Sequence, residues 1–207
     1  MARDRLSVFN DTLLYLHQTP IASITDNCEA RVTISAVWDE ALRFVIEEGN
    51  WNFAQKTEAL TYDNTLTPAP GFLYVIQKPA LWYRTVWLKQ SYNSYDEIEY
   101  LDEGAVWFTN YQTVVARWID AAYIADDYII AWPAAFVAAF IRQIAIRVGG
   151  HLTGGDSDLE QWKKDYKDAM TTARNFDLMQ EPNVMARPPG LWRRAMGSRY
   201  GSRENWR

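Results

Sequence analysis

Cysteine is nearly absent from this chain of 207 residues: there is one, Cys28. An internal disulfide and every metal site built on several cysteines are excluded. Histidine is almost as scarce. His17 and His151 are the two present, too few for a histidine-rich zinc site. Long apolar runs are missing as well. The longest uncharged apolar stretch, Tyr128 to Ile141, has 14 residues and contains Pro133; a membrane-crossing helix needs about 20. The chain does not open on a basic, then apolar, then small-residue succession, so no secretory leader is expected. The phosphate loop G-x-x-x-x-G-K-S/T, the nucleophile elbow G-x-S-x-G and the zinc motif H-E-x-x-H do not occur. These absences lead us to expect a soluble protein of a reducing compartment, with no cofactor, no metal and no membrane partner.

What is abundant is aromatic. Eight Phe, ten Trp and twelve Tyr make 14% of the chain. Tyr and Trp join a large apolar body to a polar handle and are favoured at interfaces. Charge is unevenly spread. The formal net charge is −5, yet residues 182–207 carry six arginines and one acid, Glu204. That segment is +5, and the remainder, with 15 basic and 25 acidic residues, is −10. The body repels nucleic acid on average; the segment suits a phosphate backbone or an acidic protein surface.

Periodicity predicts a helix over 4–19, where Leu6, Phe9, Leu13 and Leu16 share a face and Pro20 is the stop. A second helix is expected over 28–48, with Val32, Val37, Ala41, Phe44 and Val45 inward and Trp38 and Leu42 adjoining. Gly49-Asn50 would end it. From Phe53 to Trp118 the pattern turns to four to six strands. They include Trp82 to Leu88, a hairpin from Glu97–Leu101 to Ala105–Thr109, and Thr113 to Ile119. Helix returns from Asp126, with Pro133 in a first-turn position, a strong helix over 134–149 ended by Gly149-Gly150, and another over 157–178. On the last, Trp162, Tyr166, Ala169, Ala173 and Phe176 are the expected core side. The fold class is therefore α+β, mainly α: an antiparallel bundle of about four helices (1–52 and 126–181), an inserted small antiparallel β domain (53–125) and an extended basic arm (182–207).

Catalytic signals are faint. His17 and His151 lie near helix ends without a nucleophile or acid at a definable spacing, which suits surface or C-terminal capping roles. Cys28 opens the second helix, where a thiol pKa can fall, although a lone cysteine is ordinarily a small filler. The acid pairs Glu47-Glu48, Asp96-Glu97, Asp102-Glu103 and Asp126-Asp127 bring glycosidases to mind, but adjacent acids at turns and helix ends ordinarily face solvent. The aromatic runs carry more. Trp82-Tyr83 and Trp107-Phe108, with Trp87, place rings on both faces of a sheet. Either they fill a large core, or one face meets a subunit, a partner or a sugar. In the arm, Leu191, Trp192 and Trp206 are costly to leave in water. With Arg187, Arg193, Arg194 and Arg199 they read as anchors for a groove on another protein.

The order of parts, the segment Gly49-Asn50-Trp51-Asn52-Phe53 and the run P-x-x-F-V-x-x-F-I-R-Q-I-A at 133–145 resemble the tail tubular protein A group, the head-to-tail adaptors of short-tailed phages. The resemblance spans roughly residues 4 to 180. It implies a structural virion protein at the head–tail junction, assembled in the host cytoplasm, with no catalytic residues. Such proteins form a ring, usually of twelve copies. The resemblance further implies a C-terminal segment docked on the portal protein, a β part facing the tail nozzle or tube, and genomic DNA passing through the channel without sequence-specific binding. The alternative from the aromatic runs is a tail-associated carbohydrate-binding or hydrolysing protein.

Overall fold

Asp4 and Ser7 begin the first helix by capping each other: the Asp4 carboxylate accepts from the Ser7 amide at 2.8 Å, and Ser7 Oγ accepts from the Asp4 amide at 3.0 Å. In this computed structural model, which describes residues 3–94, 96–155 and 158–180, helix α1 runs Arg5–Tyr15. It ends before Pro20. His17 takes a left-handed φ of 57°, its amide donates to Leu14 and that of Gln18 to Leu13. This paired return closes the helix, so the proline is not the stop.

Helix α2 is Glu29–Glu47, with Cys28 at its N-cap. Its inward residues are Ile34, Trp38, Ala41, Leu42, Val45 and Ile46. Val32 and Phe44, expected inward, are 49% and 40% exposed. Trp38 sets the rotation of the helix: its ring lies 5.3 Å from Phe9 and 4.8 Å from Phe140, and burying so large a ring outweighs two smaller gains.

Helix α3, Ala134–Thr153, is flanked by the other helices, with Pro133 at its N-cap. It does not end at Gly149-Gly150. Those glycines sit inside it, and Gly154, at φ 76°, is the terminator. Gly149 is there for closeness. A Cβ at this position would lie 2.1 Å from Trp162 of helix α4, Leu159–Gln180. On α4 the inward residues are Trp162, Tyr166, Met170, Ala173 and Asp177; Phe176, expected inward, is 43% exposed. Helix α3 has the length and mean hydropathy of a membrane span, but 56% of that window is buried inside the fold, as in a core helix.

All six strands of the described residues lie between α2 and α3. They are β1 Gln55–Thr61, β2 Tyr74–Gln77, β3 Trp82–Lys89, β4 Tyr100–Glu103, β5 Val106–Thr109 and β6 Thr113–Asp120. Two antiparallel sheets result, ordered β1-β6-β3 and β2-β5-β4. Between them Ile76, Leu88, Trp107, Val114, Ala116 and Trp118 form a second core. The sheets touch at both seams: the Ile98 amide donates to Leu88, and the Asp63 amide to Val75. At its helix-side end the first sheet turns its other face to the helices, with Ile119 in the helical core and Tyr83 and Val86 against it. The architecture is α+β.

Candidate functional site

The segment Gly49-Asn50-Trp51-Asn52-Phe53 is the hinge between α2 and β1. Trp51 is 2% exposed, and its indole N–H donates to the Val45 carbonyl at 3.0 Å, capping α2 with its own ring. Gly49 makes room: a Cβ there would stand 2.8 Å from Trp51 Cε2. The rings of Trp51 and Phe53 both meet Phe136 edge-on, at 5.0 and 4.8 Å, and Trp132 does so at 5.5 Å. Glycine, tryptophan and phenylalanine at this spacing therefore lock the end of α2 to the start of α3.

The end of α4 is fastened to the same hinge. Asp177, 8% exposed, accepts from the Asn52 amide at 2.9 Å, while Asn52 Nδ2 donates to the Asp177 carbonyl at 2.8 Å. Arg174 donates to the carbonyl of Glu48 and to its carboxylate, at 2.8 and 3.0 Å. Arg84 of β3 reaches the Gly49 carbonyl at 2.7 Å and Asn50 Oδ1 at 2.8 Å. Tyr83 donates to Glu47 at 2.8 Å; burial first, and then this carboxylate, push the phenol up to about 12. Two helix ends and a strand thus meet at the point from which residues 181–207 continue. Asp177 was not legible as a site residue, because a single acid in a polar helix end looks like any solvated one.

The five aromatic candidates separate. Trp107 is fully buried and Phe108 is 9% exposed. Trp107 is therefore withdrawn as an interface residue: it fills the space between the sheets, and a ring with no exposed surface has none to give a partner. Phe108 stands on the opposite side of β5, near Phe72 at 6.5 Å, and retains little more. Trp82, Tyr83 and Trp87 are half-buried. Trp87 has the Lys89 ammonium 4.7 Å and the Arg117 guanidinium 4.8 Å from its ring centre. Arg117 is opposite Trp87 on β6 and also bonds Thr57 at 2.9 Å.

Trp82 belongs to a polar network that the sequence did not announce. Lys78, with a side chain 3% exposed, pairs with Asp102 and donates to the Gly104 carbonyl at 2.8 Å. Its ammonium lies 3.7 Å from the centre of the Trp82 ring. Asp102 also accepts from Thr85 at 2.9 Å and from the Trp107 indole at 3.1 Å. This cluster spans the gap where β3 and β4 are not joined by backbone bonds. One half of the pair Asp102-Glu103 is thereby a structural ion. Of the pair Glu47-Glu48, the second acid serves Arg174.

His151 lies 3.0 Å from Glu29, at an exposed pairing of the α3 end with the α2 start. Cys28 is half-buried and shares a shallow cleft with both. Among the described residues no three His, Cys, Asp or Glu side chains are grouped to hold a metal. The arm candidates Arg187, Leu191, Trp192, Arg193, Arg194, Arg199 and Trp206 lie outside the described residues. No protein-family model matches the sequence, and no curated protein matches it.

Proposed function

We propose that the protein is a head-to-tail adaptor of a phage virion, a ring-forming structural protein between portal and tail nozzle or tube. In this reading α1 to α4 are an antiparallel bundle, the six strands are a domain inserted into it, and residues 182–207 are the arm that docks on the portal. The observation that carries the reading is the end of α4. It is held to the hinge by Asp177 and Arg174, yet it presents Phe176, Leu178 and Met179 to water, 43%, 63% and 83% exposed. A rigid stem with apolar residues that continues into a basic segment containing two tryptophans suits a tether to another protein. The ring also requires two different faces on each subunit, and Val32 on α2 and Ile130 before α3, 49% and 64% exposed, leave apolar surface for them. The acidic body suits a channel along which DNA slides.

The carbohydrate reading needs open ring faces. Trp107 is buried, and the ring of Trp87 is attended by two cations. These placements favour the adaptor. Deleting 182–207 is the test. The truncated chain is expected to keep its circular dichroism and melting transition and to lose binding to the portal ring. Unchanged affinity for the portal would overturn the assignment of the arm.

A further inference from the structure

Each sheet has two edge strands, β1 and β3 in the first, β2 and β4 in the second. An edge presents unpaired backbone groups that another strand can join, and proteins blunt it by keeping it short, irregular or covered. β2 and β4 have four residues each. β3 is broken by two register shifts, and the Ile98 amide takes its Leu88 carbonyl. β1 is different. It pairs with β6 over seven residues without a shift. Its far end is closed against β2, where the Asp63 amide donates to Val75. Its helix-side part is open. The Tyr62 amide donates to Gln112, so by alternation Leu60, Glu58 and Lys56 bond to β6, and Ala59 and Thr57 point their amides and carbonyls outward. Gln55 keeps the same phase, its amide turning away to the Asn52 carbonyl. Among the described residues Thr57 and Ala59 make no backbone bond on that outer side. Ala59 is exposed, and the side chains of Lys56 and Glu58 are 44% and 52% exposed.

We propose that this open edge is covered by the same edge of a second copy, β1 against β1, antiparallel about a two-fold axis at Thr57. Charge selects the occupant and the register. Centring the pair on Lys56 or on Glu58 would set that residue opposite itself, and like charges directly opposite destabilise a sheet. Centring it on Ala59 gives the charges no partner, since Lys56 faces Tyr62 and Glu58 faces Leu60, and it needs the end that β2 closes. Centring it on Thr57 sets Lys56 of each copy opposite Glu58 of the other. Lys56 and Glu58 of one strand already lie 3.4 Å apart, so the four side chains form a square of alternating sign. The two Thr57 residues exchange backbone bonds, and each Ala59 amide donates to the Gln55 carbonyl of the second copy. These main-chain bonds supply the affinity. The charges are exposed and mainly fix the register. The contact goes beyond the adaptor reading: a ring is built head to tail, whereas this pair is isologous and forms between free copies.

The test uses the full chain alone, with Cys28→Ser and one new cysteine. Opposite Cα atoms at the centre of such a pair are about 5.5 Å apart, within reach of a disulfide. Thr57→Cys stands there, whereas Ala59→Cys stands roughly 14 Å from its mate. The protein is mildly oxidised, and dimers are weighed by mass spectrometry under non-reducing conditions. Thr57→Cys is expected to join two copies several-fold faster than Ala59→Cys. Adding Glu58→Lys should slow it several-fold, and adding Lys56→Glu to that should restore the rate. A mixture of Gln55→Cys and Ala59→Cys chains keeps the Thr57 hydroxyl that Arg117 bonds, and it should give the mixed dimer in preference to either homodimer. Equally slow rates for Thr57→Cys and Ala59→Cys, with no preference for the mixed dimer, would overturn the pairing. A faster Ala59→Cys would overturn the register, and indifference to Glu58→Lys would overturn the part assigned to charge. Since no portal is present, failure here is distinct from failure of the adaptor reading.

Discussion

Lys78 shows how a single residue joins two sheets. Its ammonium is buried, but it has a carboxylate, a carbonyl and an indole face around it, so the cost of leaving water is offset. Lys78→Ala would leave Asp102 without its cation. Because the Asp102 side chain keeps 37% exposure, the expected loss is about 2–3 kcal/mol, less than for a fully buried pair. Urea unfolding measures it, and no change in midpoint would mean that the network adds nothing. A pH dependence accompanies it. Burial pushes the Asp102 pKa up, but the bonds from Lys78, Thr85 and Trp107 outweigh it and hold the group below its usual 3.8. The charged form is therefore favoured by folding. This stability is present above the ordinary value and is lost as the pH falls through the lower folded value. Asp102→Asn should be less stable at neutral pH and should lack this component of the acid-induced loss. Parallel acid titrations of the two proteins would contradict the assignment.

At the scale of elements, the sequence was most readable where one periodicity dominated. The strands β3 and β6, the presence of the β4–β5 hairpin and the start of α3 after Pro133 were legible, because alternation, turn residues and a missing amide act locally. The register of the hairpin was not: its first strand, expected over Glu97–Leu101, runs Tyr100–Glu103, with Asp102 and Glu103 paired to Trp107 and Val106, so the turn is Gly104-Ala105. The faces of α2 and α4 were less so. Phe44 and Phe176 have the right spacing for a core stripe, but Trp38 and Trp162 set the rotation of their helices through partners far along the chain. Gly149-Gly150 misled for a related reason. Glycine usually marks an end, and here it marks the approach of Trp162, which no local pattern encodes. Gly149→Ala is expected to destabilise by about 1–3 kcal/mol through overpacking. In a Trp162→Leu background the same change should become neutral or stabilising, since alanine is the better helix former by about 1 kcal/mol. Melting curves of the four proteins decide it, and equal effects in both backgrounds would refute the close approach. Asp177→Ala should remove the acceptor of the Asn52 amide while leaving the bond from Asn52 Nδ2 to the residue-177 carbonyl, raising hydrogen exchange at the Asn52 amide with a cost of about 1–3 kcal/mol. An unchanged exchange rate would mean that the tie is unimportant.

At the scale of the whole molecule the described residues form two cores, one among helices and one between sheets, and Ile119, Tyr83 and Val86 carry the first across to the second. The aromatic excess is explained in large part by these cores: Trp38, Trp51, Trp107 and Trp118 are among the largest fully buried side chains. What remains for partners among the described residues is narrower than composition suggested, chiefly the end of α4, the half-buried Trp82, Tyr83 and Trp87, and scattered aliphatics. Burial of a ring depends on the packing of distant strands, so Trp107 and Trp87 could not be told apart from their neighbours in sequence. The central claim is the proposed assembly, and its most direct test is native mass by light scattering, with the protein alone and mixed with the portal ring that the proposed adaptor would join. The account predicts that the chain joins the portal in a fixed multiple near twelve. A chain that stays monomeric and ignores the portal at micromolar concentrations would contradict it.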